Sequence, residues 1–470
     1  MSTSNIQAFF SKSWNTYCPE WAIPSRAKVA GIALVFFAAY LFRSPLSSLC
    51  SFFWSPAPPT EATPDKVWKK EIPLRTFLER NATNRSSLCR VTLFKDHPLL
   101  SKARELLDVP SSSTPVESKA LGCMIGNVVG DAVGAPFEFK PWKKDIEVAA
   151  YNRFRLEEGQ WTDDASMMLC LADVLSLQEN YDQLDGALLM TTFYHWWYYG
   201  YNNAFRNNPR ESVGLGGNIS AALTKINPPS GPYVTRAGNT KTSGNGSAMR
   251  NAPVALVASS PHQAMQLAWE QSRVTHQGIE AALCCMVMAD LSYRMIHSEE
   301  TNPTTLKAQF FERLETFTFP RLEEEQGIVD ESKTSVLGLI RSEQAVTALG
   351  KTENWNWKDE GFTYHPGRLQ TQPGYIGSYV MDGLAMALHC IYTTATFEEA
   401  VLKATKHGGD ADTVGAITAQ LAGALYGLQA IPKTWIDSIR RHDGDGEIAC
   451  RALHLLERRS VNSSISASQS

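Results

Sequence analysis

The sequence predicts an all-α protein, a large helical bundle over residues 118–457 preceded by a distinct N-terminal segment. Three observations carry this prediction. Apolar residues recur at helical spacing in many runs, and few stretches alternate with the period of two that a half-buried strand needs. Several runs are also apolar on almost every face, as the inner helices of a large bundle are. In chain order the runs are Ala165–Gln178, Leu184–Tyr198, Pro261–Val274, Ile279–His297 and Leu306–Leu314. Val380–Tyr392, Phe397–Lys406, Thr413–Leu428 and Glu447–Arg458 complete the set. No repeat of fixed period is visible.

The flanking segments differ in character. Val29 to Phe42, VAGIALVFFAAYLF, is an unbroken apolar run of 14 residues behind Arg26 and Lys28. At about 1.5 Å per residue it covers about 21 Å, less than the roughly 30 Å of a hydrocarbon core. Lys28 can snorkel, and Leu46 to Trp54 adds apolar length. The run reads as a single membrane anchor. A cleaved signal is disfavoured by the long preceding region, while the scarcity of acids before residue 61 leaves an organelle presequence as the alternative. Lys12, Arg26 and Lys28 ahead of the run, against Arg43 after it, favour a translocated domain. Asn245-Gly246-Ser247 is a glycosylation sequon within a candidate substrate loop, which favours the cytosolic side instead. The expected organisation is an anchor segment at 1–54, a linker and lead-in at 55–117, the bundle at 118–457 and a disordered tail at 458–470. Ser55 to Asp65 is proline-rich, Val109 to Val116 (VPSSSTPV) is a second break, and the Ser-rich tail lacks apolar spacing.

Composition removes several functional classes. With 43% hydrophobic and 20% charged residues and a net charge of −4, the chain is neither disordered nor polytopic, and nothing recommends nucleic acid as a partner. The nine cysteines include no CxxC pair, against a zinc knuckle or thioredoxin-like site.

The chemistry lies where acids meet helix starts. Trp161-Thr162-Asp163-Asp164 precedes an apolar helix, and the ordinary reading is that Thr162 caps it while the acids favour its positive end. That helix is apolar nearly all round, so its start is buried, and adjacent buried carboxylates need a cation. His407-Gly408-Gly409-Asp410-Ala411-Asp412-Thr413 repeats the device ahead of a helix thinned by Gly415, Gly423 and Gly427 for close packing. Asp163, Asp164, Asp410 and Asp412 with Thr162 and Thr413 form an all-oxygen set suited to Mg²⁺ or Mn²⁺ rather than zinc, and two divalent ions would balance the four aspartates. Gly126 to Glu138 is an apolar helix with glycines four residues apart that ends near Glu138, a candidate acid or gate. Ser243-Gly244-Asn245-Gly246-Ser247-Ala248-Met249-Arg250 is a candidate anion cradle, with free NH groups, an Asn and an Arg.

The order GDAVGAPFE, WTDD, GNGSAMR, THQG and GGDADT resembles the ADP-ribosylglycohydrolase family, which includes dinitrogenase reductase-activating glycohydrolase and the ADP-ribosylarginine and ADP-ribosylserine hydrolases. The resemblance runs from about Ala120 to Leu428. It implies an all-α fold with two Mg²⁺ or Mn²⁺ ions held by Thr162, Asp163, Asp164, Asp410, Asp412 and Thr413. It implies substrate contacts from Asp131, from Ser243, Gly244, Asn245, Gly246 and Ser247, and from His276. Glu138 matches a mobile acidic position near the metals, and Tyr375 and Tyr379 are candidates for the adenine pocket. Ala165 stands where the family usually has a further Thr. The implied reaction is hydrolysis of the glycosidic bond at the distal ribose of ADP-ribose, attached to a protein or a small compound, through an oxocarbenium-like state. Glu138, Asp163 and Asp164 are the candidate general bases. An ADP-ribose-binding module without turnover, another two-metal hydrolase and a structural membrane protein are the competing readings; the full ligand set, the GNGSAMR loop and the buried acids respectively weigh against them.

Overall fold

Helical apolar spacing translates into helices throughout the described part of the chain. The computed structural model describes residues 63–142, 153–224, 242–321, 326–346 and 352–469. The expected anchor at 29–42 lies outside these residues. The helices are α1 (Pro64–Trp68), α2 (Leu74–Asn81), α3 (Leu100–Asp108), α4 (Pro115–Gly134), α5 (Asp163–Leu177), α6 (Gly186–Tyr199), α7 (Gly217–Leu223), α8 (Ala252–Val257) and α9 (Pro261–Arg273). They continue as α10 (Ile279–Ile296), α11 (Pro303–Thr316), α12 (Gln326–Ile340), α13 (Pro366–Thr371), α14 (Val380–Thr393), α15 (Phe397–Lys406), α16 (Ala411–Tyr426), α17 (Lys433–Arg440) and α18 (Glu447–Gln469). A two-stranded antiparallel hairpin, Gln344–Val346 with Thr352–Asn354, interrupts the helices, with Ala345 opposite Glu353.

The most extensive packing is between α4 and α16, which run antiparallel. Small residues at four-residue spacing make this seam. Gly122 faces Gly423, Gly126 faces Ala419, Gly130 faces Gly415, and Gly134 faces Ala411. A Cβ at Gly130 would lie 2.3 Å from the Gly415 carbonyl oxygen, and one at Gly126 would lie 2.5 Å from that of Ala419. The two backbones therefore touch along the seam, which is what a helix thinned by glycine permits. α4 is long and apolar enough to cross a membrane, yet it is buried in the core of the protein. Around the seam, α10, α14 and α15 pack on α16, while α18 spans α3, α4, α5 and α8.

Two boundary expectations are corrected and one is placed. The lead-in is folded from residue 63 and belongs to the same compact unit, Glu61–Ser470. Its short helices are amphipathic: Leu74, Phe77 and Leu78, then Leu100, Ala103, Leu106 and Leu107, enter the common core. The expected break at Val109–Val116 falls between α3 and α4 and leads into a helix start. Thr114 Oγ1 accepts from the Glu117 amide at 3.2 Å while Glu117 accepts from the Thr114 amide at 2.9 Å, closing a capping box ahead of Pro115. The expected disordered tail continues α18 to Gln469, since no Gly or Pro in it ends the helix. The short helices α7, α8 and α13 escape a periodicity search because they span fewer than two turns.

Candidate active site

The seam determines where the acids meet. Asp131 lies in the last turn of α4, and Asp412 lies in the first turn of α16, beside Gly134. α5 begins at Asp163, so Asp163 and Asp164 occupy its first turn. Asp131, Asp164 and Asp412 each bring a carboxylate oxygen within 4.8 Å of the others, as do Glu138, Asp410 and Asp412. Both acidic segments that stand 250 residues apart in sequence thus converge; Thr162 Oγ1 lies 3.4 Å from Asp412 Oδ2 and 3.2 Å from Asp164 Oδ2.

Thr162 does not cap α5 with its side chain. Asp131 caps it from the neighbouring helix. Its carboxylate accepts from the Thr162 amide at 2.9 Å, the Ala165 amide at 3.0 Å and the Thr162 hydroxyl at 2.8 Å. Both oxygens are engaged, so Asp131, placed by resemblance among substrate contacts, holds the Thr162–Ala165 turn against α4 and does not line the cavity. A reach from one helix to the next is invisible in local sequence.

The second acidic segment is held by backbone. The Phe139 amide donates to the Gly409 carbonyl at 2.7 Å, and the Gly409 amide donates to Lys140 at the same distance. Gly409 has φ +67°, and a Cβ there would lie 2.5 Å from the Ile376 carbonyl oxygen, so this turn needs glycine. The pairing fixes Glu138 beside Asp410 and Asp412. It also holds Phe139 at φ +59°, a conformation a bulky residue adopts only when its surroundings impose it.

The electrostatics identify what the cluster lacks. Burial and then the neighbouring carboxylates push Asp163, Asp164 and Asp412 well above the usual carboxylate range. Glu138 is pushed up by burial and then by Asp412 and Asp410. Asp131 rises only to about 6, because the amides it accepts from offset its burial. Asp164 Oδ1 and Glu138 Oε2 are buried without a hydrogen-bond partner among the described residues. Crowded carboxylates with unsatisfied oxygens are costly unless a cation neutralises them, and the all-oxygen donor set fits a hard divalent ion. The cluster can therefore bind metal.

These acids floor a cavity of about 1140 Å³. Glu138, Asp163, Asp410, Asp412 and Thr413 reach its wall, whereas Thr162 and Asp164 lie behind it. The loop Ser243–Gly246 forms one side. Asn245 spans both functions: its Nδ2 donates to Asp410 Oδ2 and to the Gly377 carbonyl, each at 2.9 Å, orienting the acid. Two expected cradle members turn away. Ser247 is fully buried and its Oγ lies 2.8 Å from Ser272 Oγ. Arg250 is also fully buried, donating to Gln271 and Thr275 and stacking 4.5 Å from the Phe193 ring. A tight turn throws successive side chains to opposite sides, and Ser247 and Arg250 fall on the core side.

His276 reaches the cavity. The Thr275 hydroxyl accepts from Arg250 at 2.8 Å and lies 2.8 Å from His276 Nδ1. The ring's Nε2 faces the Gly244–Gly246 loop. Burial and then the Arg250 guanidinium hold the imidazole down to about 3, so it is neutral. At the mouth, Tyr375 is 57% exposed and meets Phe139 edge to face at 5.1 Å, and the Arg153 guanidinium lies 4.2 Å from the Phe139 ring centre. Tyr379 also lines the cavity, but its hydroxyl is taken by Glu280 at 2.7 Å. Sequence reading missed the wall from Gly214 to Ile219, a stretch with no charged residue to mark it.

Comparison with known proteins agrees with this geometry. Residues 112–464 match the ADP-ribosylglycohydrolase family. The chain is 29% identical over 360 residues to ADP-ribosylarginine hydrolase Tri1 of Pseudomonas putida (strain GB-1), covering 72% of this chain and 79% of that protein. It is 25% identical to ADP-ribosyl-[dinitrogen reductase] glycohydrolase of Rhodospirillum rubrum, covering 69% and 91%. A solved structure described as an ADP-ribosylglycohydrolase-related protein complex aligns with a TM-score of 0.52 at 28% identity, over 73% of this chain and 99% of that one. A buried carboxylate cluster at the floor of a large cavity, on an all-α scaffold matched over most of its length, places this chain in the ADP-ribosylglycohydrolase family, whose members hydrolyse glycosidic bonds.

Proposed function

We propose that the protein removes ADP-ribose from modified protein side chains, with two divalent cations, Mg²⁺ or Mn²⁺, held by Thr162, Asp163, Asp164, Asp410, Asp412 and Thr413. The observation that carries this reading is the buried cluster of carboxylates with unsatisfied oxygens at the cavity floor. When bound, such cations orient a ribose diol and acidify a water. The chain's own residues do the rest. Asp131 and Asn245 fix the turns that present the acids. The neutral His276 ring and the Ser243–Gly246 loop line the cavity on the side that takes the anionic part of the ligand. Of the candidate bases, Glu138 and Asp163 face the cavity and Asp164 does not, so one of the first two takes the proton.

The rim favours a guanidinium acceptor. The Phe139 ring at the cavity mouth already takes the Arg153 guanidinium on its face, a contact that supports this reading. This agrees with an arginine-linked substrate, the one named for the Pseudomonas relative. A panel of arginine- and serine-modified peptides tests the reading. ADP-ribose release is expected from the arginine peptides, abolished by EDTA and restored by Mg²⁺ or Mn²⁺. Full activity in chelator would overturn the metal assignment, and release from serine peptides alone would overturn the acceptor.

The apolar run at 29–42 is proposed as a single membrane anchor with the enzyme on the cytosolic side. Deleting residues 1–60 is expected to yield a soluble, active protein, because the compact unit begins at Glu61 and the proposed site residues start at Asp131. Full-length protein recovered in the soluble fraction without detergent overturns the anchor.

A further inference from the structure

The lead-in, residues 63–108, precedes the family match that starts at residue 112, yet it is built into the core. Its turn from Arg85 to Val91 lies along the loop that follows α6. The Leu88 amide donates to the Tyr199 carbonyl at 2.9 Å. Arg90 Nε donates to the Arg206 carbonyl at 2.8 Å, and Arg85 pairs with Glu211. Cys89 is buried in the middle of this contact. Its Sγ lies 3.6 Å from the Arg210 carbonyl oxygen and 3.4 Å from Asn203 Nδ2, and it fills the space a side chain at Gly200 would need.

The loop so held leads into one wall of the active-site cavity and ties down a second. Downstream it becomes the wall from Gly214 to Ile219. Gly214 backs directly on the site: a Cβ there would lie 2.1 Å from Asp163 Oδ1. Laterally, Arg210 donates to the Phe154 carbonyl at 2.7 Å, and Phe154 lines the cavity beside Arg153. A displacement at Arg206 to Arg210 is therefore passed to both walls.

We propose that the lead-in is a brace, with Cys89 and Arg90 as positioning residues that set the width of the substrate cavity through the Arg206–Glu211 loop. The proposal rests on the reading of that cavity as the ADP-ribose site. It requires that the lead-in influence ligand binding without touching the ligand.

The experiment compares Arg90→Ala, Cys89→Ala and Arg104→Ala in the full-length protein. Arg104 ties the same lead-in to the Asp445 carbonyl at 3.0 Å, at the turn before α18, away from the cavity, and serves as the control for stability alone. The Arg90 side chain is exposed, so the carbonyls it releases reach water and the fold survives. KM, and Kd for ADP-ribose by calorimetry, are expected to rise about three- to ten-fold in the Arg90 and Cys89 variants, the worth of one or two hydrogen bonds. kcat is expected to change less than KM, Arg90→Lys to recover most of the loss, and Arg104→Ala to keep the wild-type KM. Wild-type KM and Kd in both Arg90→Ala and Cys89→Ala, whatever their melting temperatures, would overturn the brace. Failure of the unmodified protein to bind ADP-ribose would overturn instead the reading of the cavity on which it rests.

Discussion

Asp412→Asn is expected to lower turnover about a thousand-fold while leaving the metal-free protein more stable than the wild type. The two effects share one cause. Asp412 alone among the described residues belongs to both carboxylate triads. A neutral amide coordinates a divalent ion weakly, and activity falls. In the chelated protein the same change removes a carboxyl whose ionisation is opposed first by burial and then by Asp410, Asp131 and Asp163. The pH dependence has a definite sign. The folded protein holds protons on these carboxyls above 3.8, where the unfolded chain releases them. The metal-free wild type should therefore lose stability as pH rises past that value, and Asp412→Asn should flatten the slope. Melting curves in EDTA across pH 4 to 8, with and without added Mn²⁺, check this. Unchanged turnover would remove Asp412 from the site, and an Asn variant less stable than wild type in EDTA would contradict the electrostatic account.

Gly130→Val is expected to cost at least about 3 kcal/mol, more than usual overpacking, because the obstacle is backbone. A Cβ at Gly130 meets the Gly415 carbonyl oxygen at 2.3 Å and the Ala419 Cβ at 2.7 Å, and neither can rotate away. The helices must part, which separates Asp131 from Asp412. The variant should unfold early in a denaturant titration, and the fraction that folds should respond weakly to Mn²⁺. Gly130→Ala should show the same direction with smaller size. A valine variant with the wild-type midpoint would show that the seam yields without cost.

The sequence was most legible where one residue type serves one physical purpose. Long apolar runs form the inner helices, and the two acid-bearing segments mark the starts of α5 and α16, whose N-cap positions are Thr162 and Asp410. Legibility failed where the deciding partner is distant. Thr162 has the look of a cap, but Asp131 supplies it from thirty-one positions upstream. Ser247 and Arg250 have the look of an anion cradle, but the turn between them and Gly246 sends both inward. The proline- and serine-rich stretch near residue 112 has the composition of a linker, while Thr114 and Glu117 use that composition to begin α4. Helices of five to nine residues in the lead-in bury too few side chains each for periodicity to register.

One further consequence comes from His276. Histidine ordinarily earns its place by changing charge near neutrality. Here burial, and then the Arg250 guanidinium, remove that property and leave a neutral ring. Chemically it has become a polar ring without charge, 2.8 Å at Nδ1 from the Thr275 hydroxyl and turned by Nε2 toward the Gly244–Gly246 loop. The loop and the ring together make an uncharged side of the cavity above a floor of carboxylates. Such a side receives an anionic ligand without adding positive charge that would compete with cations for the aspartates below. The cavity's positive charge comes instead from Arg153 and Arg368, on other segments, so this side is left to polar contact alone.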